Sequence, residues 1–457
     1  MADSKASPPS KPAVAGIGAI ARAATTANAS TTGSAYKAPM SNPALRMMGL
    51  PGLPKKLPSR NWMIFWVLSG SLSAAIIYDK REKKRATARW ARAVSHLAKE
   101  PISSPSEMPR KLTIFLESPP TDGLRVAQDH YTEYIKPVLA ASGLDWEFVQ
   151  GRKEGDIRAA VAERIRRTRD PNAPDAIPTQ DEAINKVRRQ NGTPEYTGIR
   201  GDIVIGRHTW KEYVRGLHEG WLGPLMAPPL PTPTPVDDKS VDSASGEGEK
   251  PAEESKKEEE TKPERPPQPP PYNTTVDYPT SSIPMLIPAE FSPSTPIQFP
   301  HILGFSNTFT RLGRFLNRRR LADDIGREVA AVCLATAREY REASTPSALD
   351  ESEPEQTTAL AWEEKDWPKS VWKDDEKKDE TQTTPPPEKI WTAPMVLDPR
   401  IAMRMRRFEL QPEDEIRARA IVVPEEDVEG WIKGSLRSLW RWVITPEPRP
   451  QPVRVDE

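Results

Sequence analysis

The sequence predicts an α/β soluble domain that is anchored by one N-terminal transmembrane helix and interrupted by long disordered linkers. Three observations support this fold class. A charge-free run of eighteen residues extends from Asn61 to Tyr78. Short apolar strands alternate with helical patterns between residues 111 and 222, which is typical of a parallel sheet with right-handed crossovers. The 457 residues include 51 prolines, far above the usual ~5 per cent, so long stretches cannot join a compact core.

Residues 1–57 are predicted to be a disordered, targeting-like segment. No acidic residue occurs between Asp3 and Asp79, and Ser, Ala and Thr predominate up to about residue 36. This composition is typical of a mitochondrial targeting segment. The alternative is a merely disordered Ala/Ser-rich tail, since Arg22 is the only early arginine.

Residues 58–80 are predicted to form a transmembrane helix. As a helix, the charge-free run spans about 27 Å at ~1.5 Å per residue, which is close to the hydrocarbon thickness of a bilayer. Trp62 and Trp66 lie near one end and Tyr78 at the other, where aromatic side chains suit the headgroup regions. The alternative is a buried core helix, but such a helix seldom lacks a polar face over this length.

Residues 81–226 are predicted to be the first part of the α/β domain. A basic helix continues out of the membrane and ends before Pro101. Strands are predicted at residues 111–118, 145–150 and 201–206, and each is followed by a helix. Residues 169–196 are predicted to be an irregular insertion.

Two low-complexity linkers divide the remainder of the chain. The Pro/Glu/Lys-rich stretch 227–275 and the charged stretch 344–388 lack the apolar residues that a core requires. Between them, residues 276–343 are predicted to be the second part of the α/β domain, with one long helix. Residues 389–457 are predicted to form C-terminal helical segments. The apolar positions of the long helix follow three- and four-residue spacing: Phe309, Leu312, Leu316, Ile325, Val329, Val332, Thr336 and Tyr340.

The sequence offers no set of residues for catalysis. The 65 lysine and arginine residues balance the 65 aspartate and glutamate residues, so the net charge implies no nucleic-acid partner. Cys333 is the only cysteine and is predicted to be a small core residue. His96, His130, His208, His218 and His301 show no metal-binding spacing and are interpreted as surface or loop residues. We therefore assign no catalytic, cofactor-binding or metal-binding residue and expect no cofactor.

The α/β segment resembles the opening of the diacylglycerol-kinase type of lipid kinase. In that family a strand, a glycine-rich loop, a helix ending in Lys-Pro-x-Leu and a second strand follow one another. The stretch from Lys111 to Val149 is similar to this order and contains Lys136-Pro137-Val138-Leu139. The resemblance covers about a hundred residues and implies a lipid-kinase-like N-terminal part of the domain.

Two loops depart from the kinase pattern. A phosphate cradle needs successive backbone amides, but Pro119 and Pro120 in the first loop have no amide hydrogen to donate. Where the kinases carry Gly-Gly-Asp-Gly-Thr, this chain has the stretch 206–210, which reads Gly-Arg-His-Thr-Trp. We interpret the domain as a scaffold that cannot hold nucleotide. A membrane-anchored lipid kinase-like enzyme is the alternative.

A longer resemblance concerns the region around the membrane helix. The string NPALRMMGLPGLPKKLPSRNWMIFWVLSGSLSAAIIYDKREKKR, followed by PRKLTIFLESPPTDGLR, resembles the fungal Tim fifty-four subunits of the carrier translocase of the mitochondrial inner membrane. The similarity extends from about Asn42 to Gly155. It resumes at GDIVIGRHTWKEYVRGLHEGWLGPL.

This second resemblance implies a non-enzymatic subunit of the translocase that inserts polytopic carrier proteins. It implies one membrane span, a short N-terminal part in the matrix and a large domain in the intermembrane space that acts as an assembly and interaction platform. The implied partners are the channel-forming subunit, the small intermembrane-space chaperone complexes and the inner-membrane ATP-dependent protease. A structural tether is a further alternative, which would be favoured if the linkers rather than the α/β domain held the partners.

The charges that flank the span conflict with this orientation. Within about twenty residues, four Lys/Arg precede the span and seven follow it: Arg46, Lys55, Lys56 and Arg60, then Lys80, Arg81, Lys83, Lys84, Arg85, Arg89 and Arg92. The positive-inside rule by itself therefore predicts a domain in the matrix. We follow the family resemblance, because long domains can override the charge bias.

Two segments are predicted to make contacts in or at the membrane. Small residues between Ser69 and Ala75 would allow close approach of another helix, the alternative being that they are merely tolerated in lipid. Residues 430–444 combine an apolar face, a basic face and three tryptophans, which favours an interfacial helix on inner-membrane lipid. The alternative is an ordinary helix that docks its apolar face on the α/β domain.

Overall fold

The computed structural model describes residues 59–101, 110–170, 180–193, 196, 198–228, 268–341, 353–367 and 388–444. The predicted targeting-like segment 1–57 and most of the linker 227–275 lie outside these residues. The described residues contain a mixed α/β fold with a parallel four-stranded sheet and one long apolar helix near the N-terminus. The α/β class with a parallel sheet is therefore confirmed.

Helix α1 (Arg60–Val94) begins as the apolar run and continues as the basic stretch. Among the described residues, it is the one helix long and apolar enough to cross a membrane, and no residue of its most apolar eighteen-residue window is buried. A helix that exposes every apolar side chain is stable only in an apolar solvent, so this half of α1 is a candidate membrane span. A short 3-10 turn (Leu97–Lys99) follows it.

The central sheet has four parallel strands in the order β2-β1-β3-β4. The strands are β1 (Lys111–Glu117), β2 (Asp145–Gly151), β3 (Asp202–Ile205) and β4 (Ser294–Ile297). The sequence predicts the first three from their β-branched and aromatic residues. Strand β4 contains Pro296 and no alternating pattern. It lies at an edge of the sheet, where a proline need not remove a hydrogen bond between strands.

Helices cover both faces of this sheet. The described α-helices through residue 334 are α2 (Leu124–His130), α3 (Lys136–Ser142), α4 (Asp156–Arg169), α5 (Gln180–Gln190), α6 (Arg207–Leu222), α7 (Thr308–Phe315) and α8 (Arg318–Leu334). A π-helical turn (Tyr131–Ile135) joins α2 to α3. The core on one face contains α2, α3, α8 and the end of α1, and the core on the other contains α4 and α6.

The C-terminal elements are two short strands and several helices. They are β5 (Ala337–Glu339), α9 (Glu355–Thr358), a 3-10 helix (Ala361–Asp366), α10 (Pro399–Ala402), β6 (Arg406–Phe408), α11 (Pro412–Ala420), α12 (Glu425–Val428) and α13 (Trp431–Ile444). Strands β5 and β6 pair antiparallel in a second sheet. Phe408 is completely buried in the core that contains α8.

Three predictions about individual elements need correction. Part of the predicted irregular insertion 169–196 is helical, because α5 occupies its second half. The predicted long helix is two helices, α7 and α8, which a break at Asn317 separates. Thr336 and Tyr340 follow its end, since Ala335 adopts a left-handed backbone (φ 60°) that terminates α8. Residues 353–367 lie inside the range assigned to the charged linker, 344–388, yet they form α9 and the 3-10 helix.

The break between α7 and α8 has an identifiable cause in Asp79. Its buried carboxylate accepts hydrogen bonds from the backbone N–H groups of Arg318 and Arg319, both at 3.2 Å. These are amides of the first turn of α8, which have no acceptor within their own helix. A carboxylate near a helix N-terminus also interacts favourably with the helix dipole. Helix α8 therefore begins where α1 supplies its cap.

The second half of α1 also packs tightly against α8. The Trp90 ring is 2 per cent exposed and lies over the backbone of Gly326, where any Cβ would overlap it. The Trp90 indole N–H donates to the Asp323 carboxylate at 2.6 Å, and Arg89 pairs with the same carboxylate. The basic half of α1 is therefore an integral part of the sheet domain.

We predict opposite effects for two glycine-to-alanine substitutions in the α7–α8 segment. Gly326→Ala should lower the free energy of unfolding by about 1–3 kcal/mol, because the new methyl group overpacks the Trp90 site. Gly313→Ala in α7, where an added Cβ meets nothing within 4 Å, should leave stability unchanged or raise it by about 0.5–1 kcal/mol. Denaturant unfolding of the full chain in detergent measures both. Equal stability of the two variants would contradict the packing of Trp90 on Gly326.

Candidate functional site

The carboxyl edge of the parallel sheet is the candidate site, because α/β proteins bind ligands there. The two loops that correspond to the kinase phosphate loops follow β1 and β3 at this edge. Helix α4 also begins here, directly after β2. In a nucleotide-binding protein, amides at such helix N-termini hold phosphate. In this protein, carboxylates of the same chain accept the hydrogen bonds from these amides.

The N-terminus of α4 is occupied by the carboxylate of Glu212, a residue of α6. Both of its oxygens are engaged: the backbone N–H of Gly155 donates at 2.6 Å, that of Ile157 at 3.1 Å and that of Arg158 at 3.2 Å. Gly155 has a left-handed backbone (φ 94°), which turns its amide toward the carboxylate. Glycine adopts this conformation without the steric strain that a Cβ atom would cause. Glu212 is completely buried and occupies the position where an anionic ligand would bind.

The N-terminus of α6 is occupied in the same manner by Glu363. This carboxylate accepts from the backbone N–H of Arg207 at 2.9 Å and from that of Phe299 at 2.7 Å. Glu363 is 3 per cent exposed and comes from the 3-10 helix inside the predicted charged linker. The neighbouring Glu364 pairs with Arg207 and Lys211. A carboxylate of the same chain therefore lies where the second loop of a kinase would hold phosphate.

A tryptophan from the C-terminal part of the chain covers both sites. The Trp391 indole N–H donates to Glu212 at 2.8 Å, and its backbone N–H donates to Glu154 at 3.0 Å. The Lys211 ammonium donates to the carbonyl oxygens of Trp391 and Ala393 at 2.9 and 2.8 Å. These contacts hold Trp391 and Ala393 beside the first two turns of α6, so the chain itself occupies this part of the carboxyl edge.

The first loop provides little for a ligand. Pro119 and Pro120 are buried, and the Ser118 hydroxyl donates to the carbonyl oxygen of Arg152 at 2.8 Å. Thr121 has a positive φ of 75°, and the neighbouring Asp122 pairs with His301 at 2.7 Å. The loop is thus held by internal contacts in addition to lacking the two amide donors.

Burial raises the pKa of the carboxyl groups at this edge. It raises the pKa of Glu212 to about 7 and the pKa of Glu363 to about 7, although hydrogen bonds from the backbone act in the opposite direction. The pKa of Glu117 lies well above its usual range, because the side chain is completely buried and next to the charge of Glu212. Perturbed carboxyls in a cleft often indicate catalysis. Here Glu212 and Glu363 accept hydrogen bonds from amides at helix N-termini, and Glu117 lies buried beside Glu212.

The histidines and the cysteine have structural surroundings. His130 and His208 lie next to the carbonyl oxygens of Gln298 and Glu117, and His218 accepts from the backbone N–H of Asp398 at 2.9 Å. These three rings are buried rather than on the surface, which corrects the sequence interpretation: the aromatic residues around them complete the core. Cys333 is buried, as predicted, and burial raises the pKa of its thiol to about 11.

A small cleft elsewhere does not suit a substrate. It has a volume of about 90 Å³ and lies between α8 and the two-stranded sheet, lined by Arg327, Glu328, Arg338 and Arg407 among others. Ligand pockets usually enclose about 300–1,000 Å³. Its arginines are also paired with Glu415, Glu409, Glu355 and Glu328.

The apolar face of α13 is exposed, which agrees with the interfacial interpretation and not with docking on the sheet domain. Trp431, Ile432, Leu436 and Leu439 are 85, 70, 63 and 61 per cent exposed. The side chains of residues 442–444, which include the predicted Trp442 and Val443, lie outside the described residues. The basic residues of α13 pair with nearby carboxylates: Lys433 and Arg437 with Glu429, and Arg441 with Glu426.

The sequence analysis missed the residues that occupy the edge. Glu212 could not be singled out, because α6 is buried all round and shows no polar face for comparison. Glu363 had a usable signal: Trp362 and Trp367 flank it within a charged stretch. Two tryptophans in six residues indicate packing rather than a solvated linker.

The chain is similar to known mitochondrial import proteins over most of its length. The family model "Inner membrane protein import complex subunit Tim54" matches residues 42–408. The mitochondrial import inner membrane translocase subunit tim54 of Neurospora crassa is 60% identical over 413 residues, covering 88% of each chain. The corresponding subunit of Aspergillus oryzae is 44% identical and covers 86% of this chain and 94% of its own length. That of Saccharomyces cerevisiae is 28% identical, with 85% and 96% covered.

We predict that the buried carboxyls make the chain less stable as pH rises. The usual glutamate pKa is about 4.3 in an unfolded chain, and that of Glu212 is about 7 in the folded one. Between these values the unfolded chain has lost a proton that the folded chain keeps, so the free energy of unfolding falls as pH rises. Each unit of pKa difference contributes at most about 1.4 kcal/mol. The Glu212→Gln variant should show a shallower fall between about pH 4.5 and 7 in denaturant unfolding.

The control for this experiment is Glu413→Gln, which changes an exposed glutamate of α11. It should leave the pH profile as in the wild type. At pH 8, Glu212→Gln should be less stable by about 1–3 kcal/mol, because one amide oxygen replaces two carboxylate acceptors. A wild-type slope in the Glu212→Gln variant would contradict the assigned role of this carboxyl.

Proposed function

The chain belongs to the Tim54 family of subunits of the mitochondrial inner-membrane protein import complex, and we propose that it acts there as a non-enzymatic assembly and interaction platform. In this proposal the platform is the sheet domain, which stands in the intermembrane space and serves the insertion of polytopic carrier proteins. The observation that carries the proposal is the occupied carboxyl edge of the sheet. The domain's own side chains occupy the edge at which α/β proteins bind ligands, so its outer surface remains available for contacts with proteins.

The filled edge also argues against the lipid-kinase alternative. A kinase needs free amides and a metal site for the triphosphate. Here Glu212 and Glu363 hold the amides at two helix N-termini, and their negative charge would repel phosphate. Saturable binding of ATP with magnesium to the full chain would restore the enzyme as the better proposal.

The ion pairs of α1 reconcile the charge bias with a domain in the intermembrane space. Five of the seven basic residues that follow the span have carboxylate partners: Arg81 and Arg85 with Glu425, Lys83 with Glu133, Arg89 with Asp323 and Arg92 with Asp427. Cations that are neutralised in the folded domain do not present the free positive charge that the positive-inside rule describes. Long domains also cross membranes largely regardless of charge.

The proposed partners follow from the two parts of the molecule. The small-residue face of the span is assigned to the channel-forming subunit, because small side chains allow close packing of helices in lipid. The sheet domain is assigned to the small intermembrane-space chaperone complexes and to the inner-membrane ATP-dependent protease. The exposed face of α13 is assigned to inner-membrane lipid. Its cations are paired, so its apolar side chains rather than its charge supply the binding.

The orientation can be tested with one added cysteine. Met285 is completely exposed on the sheet domain, whereas the natural Cys333 is buried and its thiol has a raised pKa. In mitochondria with a ruptured outer membrane and an intact inner membrane, we predict that Met285→Cys reacts with a membrane-impermeant maleimide. The wild-type chain is the matched control and should stay unlabelled until it is denatured. Labelling of Met285→Cys only after detergent treatment would place the domain in the matrix.

The contact with the channel-forming subunit can be tested at Gly70. An added side chain at Gly70 meets nothing within 4 Å in the isolated chain, so Gly70→Leu should not affect its fold. We predict that Gly70→Leu releases the channel-forming subunit on native gels while the chain stays resistant to carbonate extraction. Leu68→Phe, which enlarges an exposed side chain outside the small-residue cluster and about 160° away around the helix, is the matched control and should keep the complex. If both variants co-migrate with the channel-forming subunit, the contact lies elsewhere.

A further inference from the structure

A short amphipathic helix lies next to the point where the span meets the domain. Helix α7 exposes Phe309, Leu312 and Phe315 by 85, 48 and 41 per cent, and Phe305 just before it is 92 per cent exposed. No residue of α7 is buried. Exposed apolar clusters of this kind usually indicate an interaction surface. The function proposed above does not account for this one.

The other face of α7 is attached to the domain. The Arg314 guanidinium lies over the Trp362 ring, 4.7 Å from its centroid, and pairs with Asp366 at 3.4 Å. At about 100° per residue, Phe309 and Leu312 lie about 140° and 160° around the helix from Arg314. The apolar side chains therefore project away from the surface to which α7 is fixed.

The location of α7 brings it close to the membrane. Asp79 directly follows the charge-free run, and its carboxylate binds the amides of Arg318 and Arg319. The guanidinium of Arg319 lies over the ring of Tyr78, the last residue of that run, 5.3 Å from its centroid. Arg318 follows Phe315 by three positions, which is at most about 11 Å of chain. The end of α7 is thus within reach of the headgroup region that borders the span.

The charges around α7 point to lipid rather than to a basic or neutral protein. Arg311 in α7 has no ion-pair partner among the carboxylates that the structure describes, whereas Arg320 at the start of α8 interacts electrostatically with Asp324 of its own helix. Arg311 thus differs from most cations of α1 and α13, which carboxylates of the same chain neutralise. Exposed aromatic side chains next to an unpaired arginine are typical of a helix that lies in an anionic membrane surface.

We propose that α7 lies in the headgroup layer of the membrane that α1 crosses, with Phe305, Phe309 and Leu312 inserted among anionic lipids. The occupant of its apolar face is this lipid surface, and Arg311 binds the phosphates. The proposal requires that α1 spans the membrane but does not depend on the platform function.

A photoreactive side chain at position 309 tests this location. The full chain is reconstituted in vesicles of phosphatidylcholine and cardiolipin, with benzoylphenylalanine in place of Phe309. The matched control carries the probe at Thr310, which is exposed and lies about 100° away on the same helix. On irradiation, we expect lipid adducts at position 309 to exceed those at position 310 severalfold. Equal yields at the two positions overturn the proposal.

Two further comparisons test whether the contact needs anionic lipid and whether lipid or a partner protein covers α7. With vesicles of phosphatidylcholine alone, the adduct yield at position 309 should fall, since Arg311 then loses its anionic partners. An unchanged yield overturns the assignment to anionic lipid. In intact mitochondria the probe at 309 should still capture lipid. Its capture into one protein adduct in place of lipid would show that a partner protein covers α7, and the proposal would fail.

A substitution in the same helix checks that the apolar side chains cause the contact. With the probe at Leu312, Phe309→Glu should reduce the lipid adduct severalfold, whereas Thr310→Glu should not. Both variants add one carboxylate to an exposed position, so a loss of folding would affect both and would be seen in the denaturant unfolding curve. An equal reduction in two folded variants overturns the proposal.

Discussion

The carboxylate of Asp79 joins α1 to α8, and much of the architecture depends on this contact. Asp79 is the first charged residue after the eighteen-residue run, and it caps α8, which contributes to the core on one face of the sheet. From this point α1 continues into the same core, where Trp90 and Val94 are buried. The start of α8 and the basic half of α1 therefore depend on each other for their positions.

The same physical device occurs at the ligand edge of the sheet. Glu212 and Glu363, like Asp79, are carboxylates from distant parts of the chain that satisfy free amides at helix N-termini. In each case burial is costly for the charge and the amides offset part of that cost. At the sheet edge the consequence is functional, because these amides are the groups that would hold a phosphate. The fold has thus retained the geometry of an anion site while using it for its own stability.

The sequence was sufficient where local patterns determine structure. The charge-free run and the β-branched strand at Lys111–Glu117 are local signals, and both elements formed as predicted. The break at Asn317 could not be predicted, since apolar spacing continues through it and the cap is supplied by a residue more than two hundred positions earlier. Glu363 lies in a stretch whose composition indicates a linker, and only its partners at Arg207 and Phe299 make it part of the core. Pairings between distant segments decide such cases, and composition does not encode them.

The pairing of charges limits what the basic residues that follow the apolar run of α1 can indicate about orientation. Three basic residues of α1, Arg81, Arg85 and Arg92, pair with carboxylates of α12 and so attach the C-terminal part of the chain to this helix. Arg89 pairs with a carboxylate of α8. Glu425 forms ion pairs with both Arg81 and Arg85, and α13 begins six residues after Glu425. The basic stretch therefore brings α13 back to the junction where α7 also lies. Its positive charge serves the assembly of this membrane-facing side, and a rule that counts charge without its partners cannot distinguish that use from retention in the matrix.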